Sequence, residues 1–111
     1  MPIFISQGRY SRDAIKGMTA NPEDRAEAAT KLIEAAGGKM LAYYVTLGEY
    51  DWLIVSEFPD HQGVSASMLT AAASGGVTDT KTTLAMTTAE AKKVFAATGK
   101  ATAAYRAPGA G

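Results

Sequence analysis

A chain of 111 residues and 11.6 kDa, 47% apolar and 20% charged, has the make-up of one small globular domain, and no apolar run approaches the ~20 residues of a membrane span. Eleven Lys and Arg balance eleven Asp and Glu, so the basic surplus that nucleic-acid binding needs is missing. With no cysteine and one histidine, disulfides, thiol catalysis, Cys-ligated clusters and a multi-His metal site within one chain are excluded, and neither metal nor cofactor is expected.

Met1-Pro2-Ile3-Phe4-Ile5-Ser6 has no basic n-region and no long apolar h-region, so a cytoplasmic protein is expected rather than a secreted one. Ile3 to Gln7, short, β-branched and aromatic, reads as a strand. Ser11 to Ala20, interrupted by Gly17, reads as a loop with a turn of helix. Asn21-Pro22-Glu23-Asp24 then carries a cap, a first-turn proline and two acids, and predicts a helix to Ala36. Its apolar stripe is Ala29, Leu32, Ile33 and Ala36, and Gly37-Gly38 stops it. Lys39 to Leu47 and Tyr50 to Phe58 read as two strands, with Gly48-Glu49 between them suited to a tight type II′ turn. Pro59-Asp60 leads into a second helix with Val64, Met68, Leu69 and Ala72, closed by Gly75-Gly76. Val77 to Met86 reads as a fourth strand. Thr87-Thr88-Ala89-Glu90 matches a capping box for a last helix to about Thr98, with Val94 and Phe95 as its contacts. Residues 1–99 thus form one domain, and residues 100–111, rich in Ala, Gly and Pro, are expected to be a flexible tail.

The order strand, helix, strand, strand, helix, strand is the ferredoxin-like βαββαβ arrangement, an α+β fold with an added C-terminal helix. It puts both main helices on one face of an antiparallel sheet and leaves the other bare. A two-residue turn pairs Leu47 with Tyr50 and Thr46 with Asp51. One hairpin face then carries Leu41, Tyr43, Val45, Leu47, Tyr50, Trp52, Ile54 and Ser56, and its bulk puts it under the helices. The other carries Met40, Ala42, Leu53 and Val55 among Tyr44, Thr46, Asp51 and Glu57, too apolar to stay exposed and too polar for a dry core. A second copy packed sheet to sheet resolves both problems, so a homodimer or a ring of dimers with a cavity between subunits is expected.

Gly48-x-Tyr50-Asp51, followed by Glu57-x-Pro59-Asp60, resembles the GYD domain family, named for that turn. Asn21-Pro22-x-Asp24-Arg25, Gly37-Gly38-Lys39 and Thr80-x-Thr82-x-x-Ala85 add to the resemblance, which covers roughly residues 1 to 92. It implies the dimeric α+β barrel group, in which two ferredoxin-like sheets face each other. It implies little chemistry, because that wider group spans cofactor-independent monooxygenases, isomerases, haem-dependent enzymes and effector-binding modules. Lys81 stands between the threonines of strand four, where an acid or a neutral residue is expected, and it alters the ligand charge if it faces the cavity.

The candidate catalytic residues are Asp51 and Glu57. Asp51 reads either as a base of raised pKa in a partly buried pocket or, more commonly for such residues, as a turn carboxylate accepting backbone hydrogen bonds. Glu57 reads as an acid/base group or an interface ion pair. Tyr44 and Thr46 are candidate ligand contacts beside them, and Arg9 and Arg25, with Tyr10 and Arg12 close in sequence to Arg9, would suit an anionic ligand at the cavity mouth. His61, in an exposed first turn, reads as solvent-facing rather than as a base. Trp52 and Tyr43 read as core, and Met18, Met40, Met68 and Met86 as packing. No Gly-rich phosphate loop and no nucleophile elbow is present. The leading expectation is an oligomer binding a small molecule between or beside its sheets. The alternatives are a cofactor-independent isomerase or monooxygenase acting on an aromatic or polyketide-like substrate, and a purely structural role.

Overall fold

The computed structural model describes residues 1–110. They form β1 (Ile3–Tyr10), α1 (Arg12–Ala20), α2 (Ala26–Ala35), β2 (Lys39–Val45), β3 (Trp52–Glu57), α3 (His61–Ala73), β4 (Val77–Ala85) and α4 (Thr88–Ala104). The strands make one antiparallel sheet in the order β2-β3-β1-β4. The passage from β1 to β2 skips over β3, and that from β3 to β4 skips over β1. The α+β class expected from the sequence is the class observed.

Burial alternates strictly along the two central strands, with Phe4, Ser6 and Gly8 of β1 and Trp52, Ile54 and Ser56 of β3 buried on the helix side. There Phe4, Trp52 and Ile54 meet Phe58, Ile33 of α2 and Val64 of α3 to make the core. Phe58 is fully buried, and two glycines give it room. A Cβ at Gly38 would collide with its Cε1, and one at Gly63 with its Cδ1. Ile33, Ala29 and Ala36 of the expected stripe pack on this core, as does Met68 of α3.

The segment expected to be a loop is a helix. In α1 the Ser11 hydroxyl accepts the Ala14 N–H at 3.1 Å, and Asp13 lies in the first turn. Gly17 costs such a helix only about 1 kcal/mol relative to alanine, an amount that a good cap offsets. Asn21, expected to open the next helix, instead ends α1, its N–H donating to Gly17 O at 2.9 Å. The second helix therefore starts later, at Ala26, whose N–H donates to the Asp24 carboxylate at 2.9 Å. It stops where Gly37 takes φ +91, a region that favours glycine.

The β2–β3 hairpin departs from expectation twice. Pairing runs Val45↔Trp52, Tyr44↔Leu53, Tyr43↔Ile54 and Ala42↔Val55 as predicted, and then shifts to Met40↔Ser56 and Lys39↔Glu57. The extra residue is Leu41, a β-bulge that turns Met40 onto the core side and leaves Leu41 itself exposed. The connection is also wider than a two-residue turn. Paired strand ends at Val45, Leu47 is fully exposed, and the Thr46 hydroxyl donates to Tyr50 O at 2.7 Å. Leu47 and Tyr50 do not pair and do not lie under the helices.

At the C-terminus Thr87 and Glu90 form the expected capping box. The Thr87 N–H and hydroxyl hold the Glu90 carboxyl below the usual carboxylate range. The helix then runs past Thr98 to Ala104, as its alanine content favours. None of its residues is buried, and Val94 and Phe95, expected as contacts, are exposed.

Candidate functional site

Three places collect the residues of interest. The first is the end of the hairpin. Asp51 precedes β3, and its N–H donates to Gly8 O at 2.8 Å while its Oδ2 accepts the Tyr10 N–H at 3.0 Å. Here β1 changes register with β4, between Gln7 and Arg9. The carboxylate therefore satisfies a backbone donor where the ladder is interrupted.

The second is the sheet face away from the core. Following the pairings across the sheet gives the rows Tyr44–Leu53–Gln7–Lys81, Ala42–Val55–Ile5–Thr83 and Lys39–Glu57–Ile3–Ala85. Its centre is aliphatic, its corners are polar, and none of these residues is fully buried. Tyr44 is 63% exposed at the β2 edge. Glu57 lies six residues from Asp51, about 20 Å along an extended strand, so one protomer does not bring the two candidate carboxylates together. Lys81 does lie on this face, through its pairing with Gln7.

The third is a cavity of about 450 Å³ on the helix side, between the sheet and α1, α2 and α3. Ala14 and Met18 of α1, Leu32 of α2, Met68 of α3 and Ile54 of β3 are among the apolar groups lining it. Its polar groups are few. The Tyr10 and Tyr43 hydroxyls hydrogen-bond at 2.6 Å. Burial, reinforced by the Tyr43 hydroxyl, pushes the Tyr10 phenol well above its ordinary value. The Trp52 indole also lines the cavity, and its buried Nε1–H meets no partner among the described residues. Arg25 stands at the rim, paired with Glu23 at 3.1 Å. The Thr70 and Ser74 hydroxyls donate back to their own helix, to Ala66 O and Ala71 O.

Of the residues nominated from the sequence, only Arg25 borders this cavity. Arg9 is exposed beside the β1 irregularity, Thr46 and Asp51 are engaged at the hairpin end, and Tyr44 and Glu57 belong to the open face. His61 is exposed at the start of α3. Among the described residues no group of acidic or histidine side chains could hold a metal ion, and no helix is long and apolar enough to cross a membrane. Tyr43 and Trp52 are the cavity residues that pattern reading assigns to the core alone. The missing signal was α1, whose Ala14 and Met18, four apart, wall the space once that segment is helical.

The GYD domain family matches residues 4–95. The chain belongs to the GYD domain family. Among curated relatives, a Thermus thermophilus protein named "Glutamine synthetase and cystathionine beta-lyase binding protein" is 34% identical over 77 residues, which is 69% of this chain and 81% of that one. Two solved structures share the outline at low identity. An FFRP chain has a TM-score of 0.47 and 16% identity over 78% of the GYD chain and all of its own. A chain from Thermus thermophilus has a TM-score of 0.45 and 18% identity over 78% of this chain and 95% of its own.

Proposed function

We propose that the protein is a cytoplasmic, ferredoxin-like binding module that pairs sheet to sheet into a dimeric α+β barrel and holds a small molecule beside the sheets. The observation that carries the ligand reading is the helix-side cavity, about 450 Å³ and walled by apolar side chains with a few polar groups. Size and lining are those of small-molecule sites. Tyr44, Glu57 and Lys81 then serve as polar corners of the interface between copies rather than as cavity groups, and Leu53, Val55, Ile3 and Ile5 as its centre. The name of the Thermus relative supports a regulatory role exerted by binding other proteins. On this reading the cavity ligand tunes such binding.

The ligand claim is tested by thermal unfolding of the full chain against a chemically broad compound panel. At least one compound class should raise Tm, and Ala71→Phe, which fills the cavity from α3, should abolish the shift while leaving the far-ultraviolet spectrum unchanged. A panel in which nothing stabilises the protein, or stabilisation that survives Ala71→Phe, contradicts the reading.

A further inference from the structure

The polar groups of the helix-side cavity are not a balanced set. Two tyrosine hydroxyls that bond each other use one proton between them, so the pair keeps one free to donate. Trp52 Nε1–H is a second donor without a partner among the described residues, and an indole nitrogen cannot accept in return. The Thr70 and Ser74 protons are already committed to helix carbonyls. The lining therefore offers donors with nothing to receive them, and leaving a buried donor unmet costs about 1–3 kcal/mol.

Position concentrates them. Gly8 pairs with Trp52 across the sheet, Val45 pairs with Trp52 on the other side, and Tyr43 lies two residues from Val45 on the same face. Tyr10, two residues beyond Gly8, reaches Tyr43 with its hydroxyl. All three aromatic groups thus share one end of the helix-side face.

Charge narrows the class further. Apart from the tyrosines, the titratable residues lining the cavity are Glu23 and Arg25, which pair with each other at 3.1 Å. The rim is neutral overall, and the neighbouring carboxylate, Asp51, serves the Tyr10 backbone from behind. An anionic ligand would bury its charge without a free cation to meet it, which is expensive. The remaining lining is aliphatic, thioether and aromatic.

We infer that the ligand of this cavity is a neutral, largely apolar carbonyl compound, a ketone or quinone, whose oxygen accepts from Trp52 Nε1–H and from the Tyr10–Tyr43 hydroxyl pair. The inference rests on the small-molecule reading above and names the ligand class of the same site. One carbonyl oxygen has two lone pairs, enough for both donors.

The protein provides its own probe, because it has a single tryptophan. The ¹⁵N-labelled full chain therefore gives one indole N–H cross-peak. Three compounds on one ring system separate the possibilities: 2-acetylnaphthalene, neutral with an acceptor; 2-ethylnaphthalene, neutral without one; and 2-naphthoate, anionic. The ketone should bind and move the indole proton downfield. The alkyl compound and the naphthoate should each bind at least tenfold more weakly, and neither should give that shift. Tyr43→Phe should weaken the ketone several-fold and leave the alkyl compound unaffected. If 2-ethylnaphthalene binds as tightly as the ketone, acceptor recognition is refuted while the cavity remains a ligand site. If 2-naphthoate binds tightest, neutrality is refuted. If none of the three titrates any cavity resonance, this inference and the small-molecule reading both fall.

Discussion

Asp51 shows how a motif residue serves a fold before it serves chemistry. Its N–H and its carboxylate both tie the hairpin to the end of β1, one through Gly8 O and the other through the Tyr10 N–H. Asp51→Ala should cost about 1–3 kcal/mol, the range for a lost bond to a charged acceptor with its donor left unmet. Asp51→Asn keeps an acceptor and should cost less. Chemical denaturation of the three proteins ranks them, and an Asp51→Ala variant as stable as the parent would contradict this role. Tyr10 gives a second test at the same scale. Its folded phenol holds its proton above the ordinary value of 10.0, so beyond about pH 10 the unfolded chain binds fewer protons than the native one. Stability should therefore be complete below pH 10 and fall as pH rises past it. Tyr10→Phe should make that alkaline fall shallower, and equal slopes in the two proteins would refute the coupling. Sequence reading could name Asp51, because a carboxylate after a turn has few commoner uses than backbone hydrogen bonding. It could not show which backbone, since the donor, Tyr10, is distant in sequence.

Among the elements, the strands and capped helices were legible wherever local chemistry and periodicity agreed. The Ala29–Ile33–Ala36 stripe, the Asp60 cap of α3 and the Thr87–Glu90 box are examples. Two failures have physical causes. Gly17 weakened the pattern of α1 without breaking the helix, and the Leu41 bulge swapped the faces of Met40 and Leu41, which alternation cannot foresee. Glycines at element ends separate packing from propensity. Gly38→Ala or Gly63→Ala would push a Cβ against Phe58 and nearby carbonyls, and each should cost at least the 1–3 kcal/mol typical of overpacking. Nothing lies within 4 Å of a Cβ at Gly17, so Gly17→Ala should stabilise α1 by about 0.5–1 kcal/mol. Thermal unfolding of the three variants checks the contrast. The account of Phe58 fails if the first two melt with the parent.

The whole molecule is elongated, 64 × 30 × 22 Å with a radius of gyration of 18.2 Å, against about 13 Å for a compact chain of this length. The 17-residue α4, roughly 25 Å of helix, has no buried residue and leaves Phe95 72% exposed. The open sheet face adds Leu53, Val55, Ile3 and Ile5 to the unburied apolar surface. An overall neutral chain has no net charge to keep copies apart. These features, and not the ligand, are what the pairing of two sheets would satisfy. The apolar centre of this face was visible in the sequence through alternation. Its corner charges, Lys39 and Lys81 against Glu57, needed the register. The most direct measurement is native mass spectrometry of the freshly purified chain at micromolar concentration beside Leu53→Arg, which puts a charge at the centre of the open face. The pairing account predicts an even multiple of 11.6 kDa for the parent and a monomer for the variant. A monomeric parent, or an assembly that Leu53→Arg leaves intact, would contradict it.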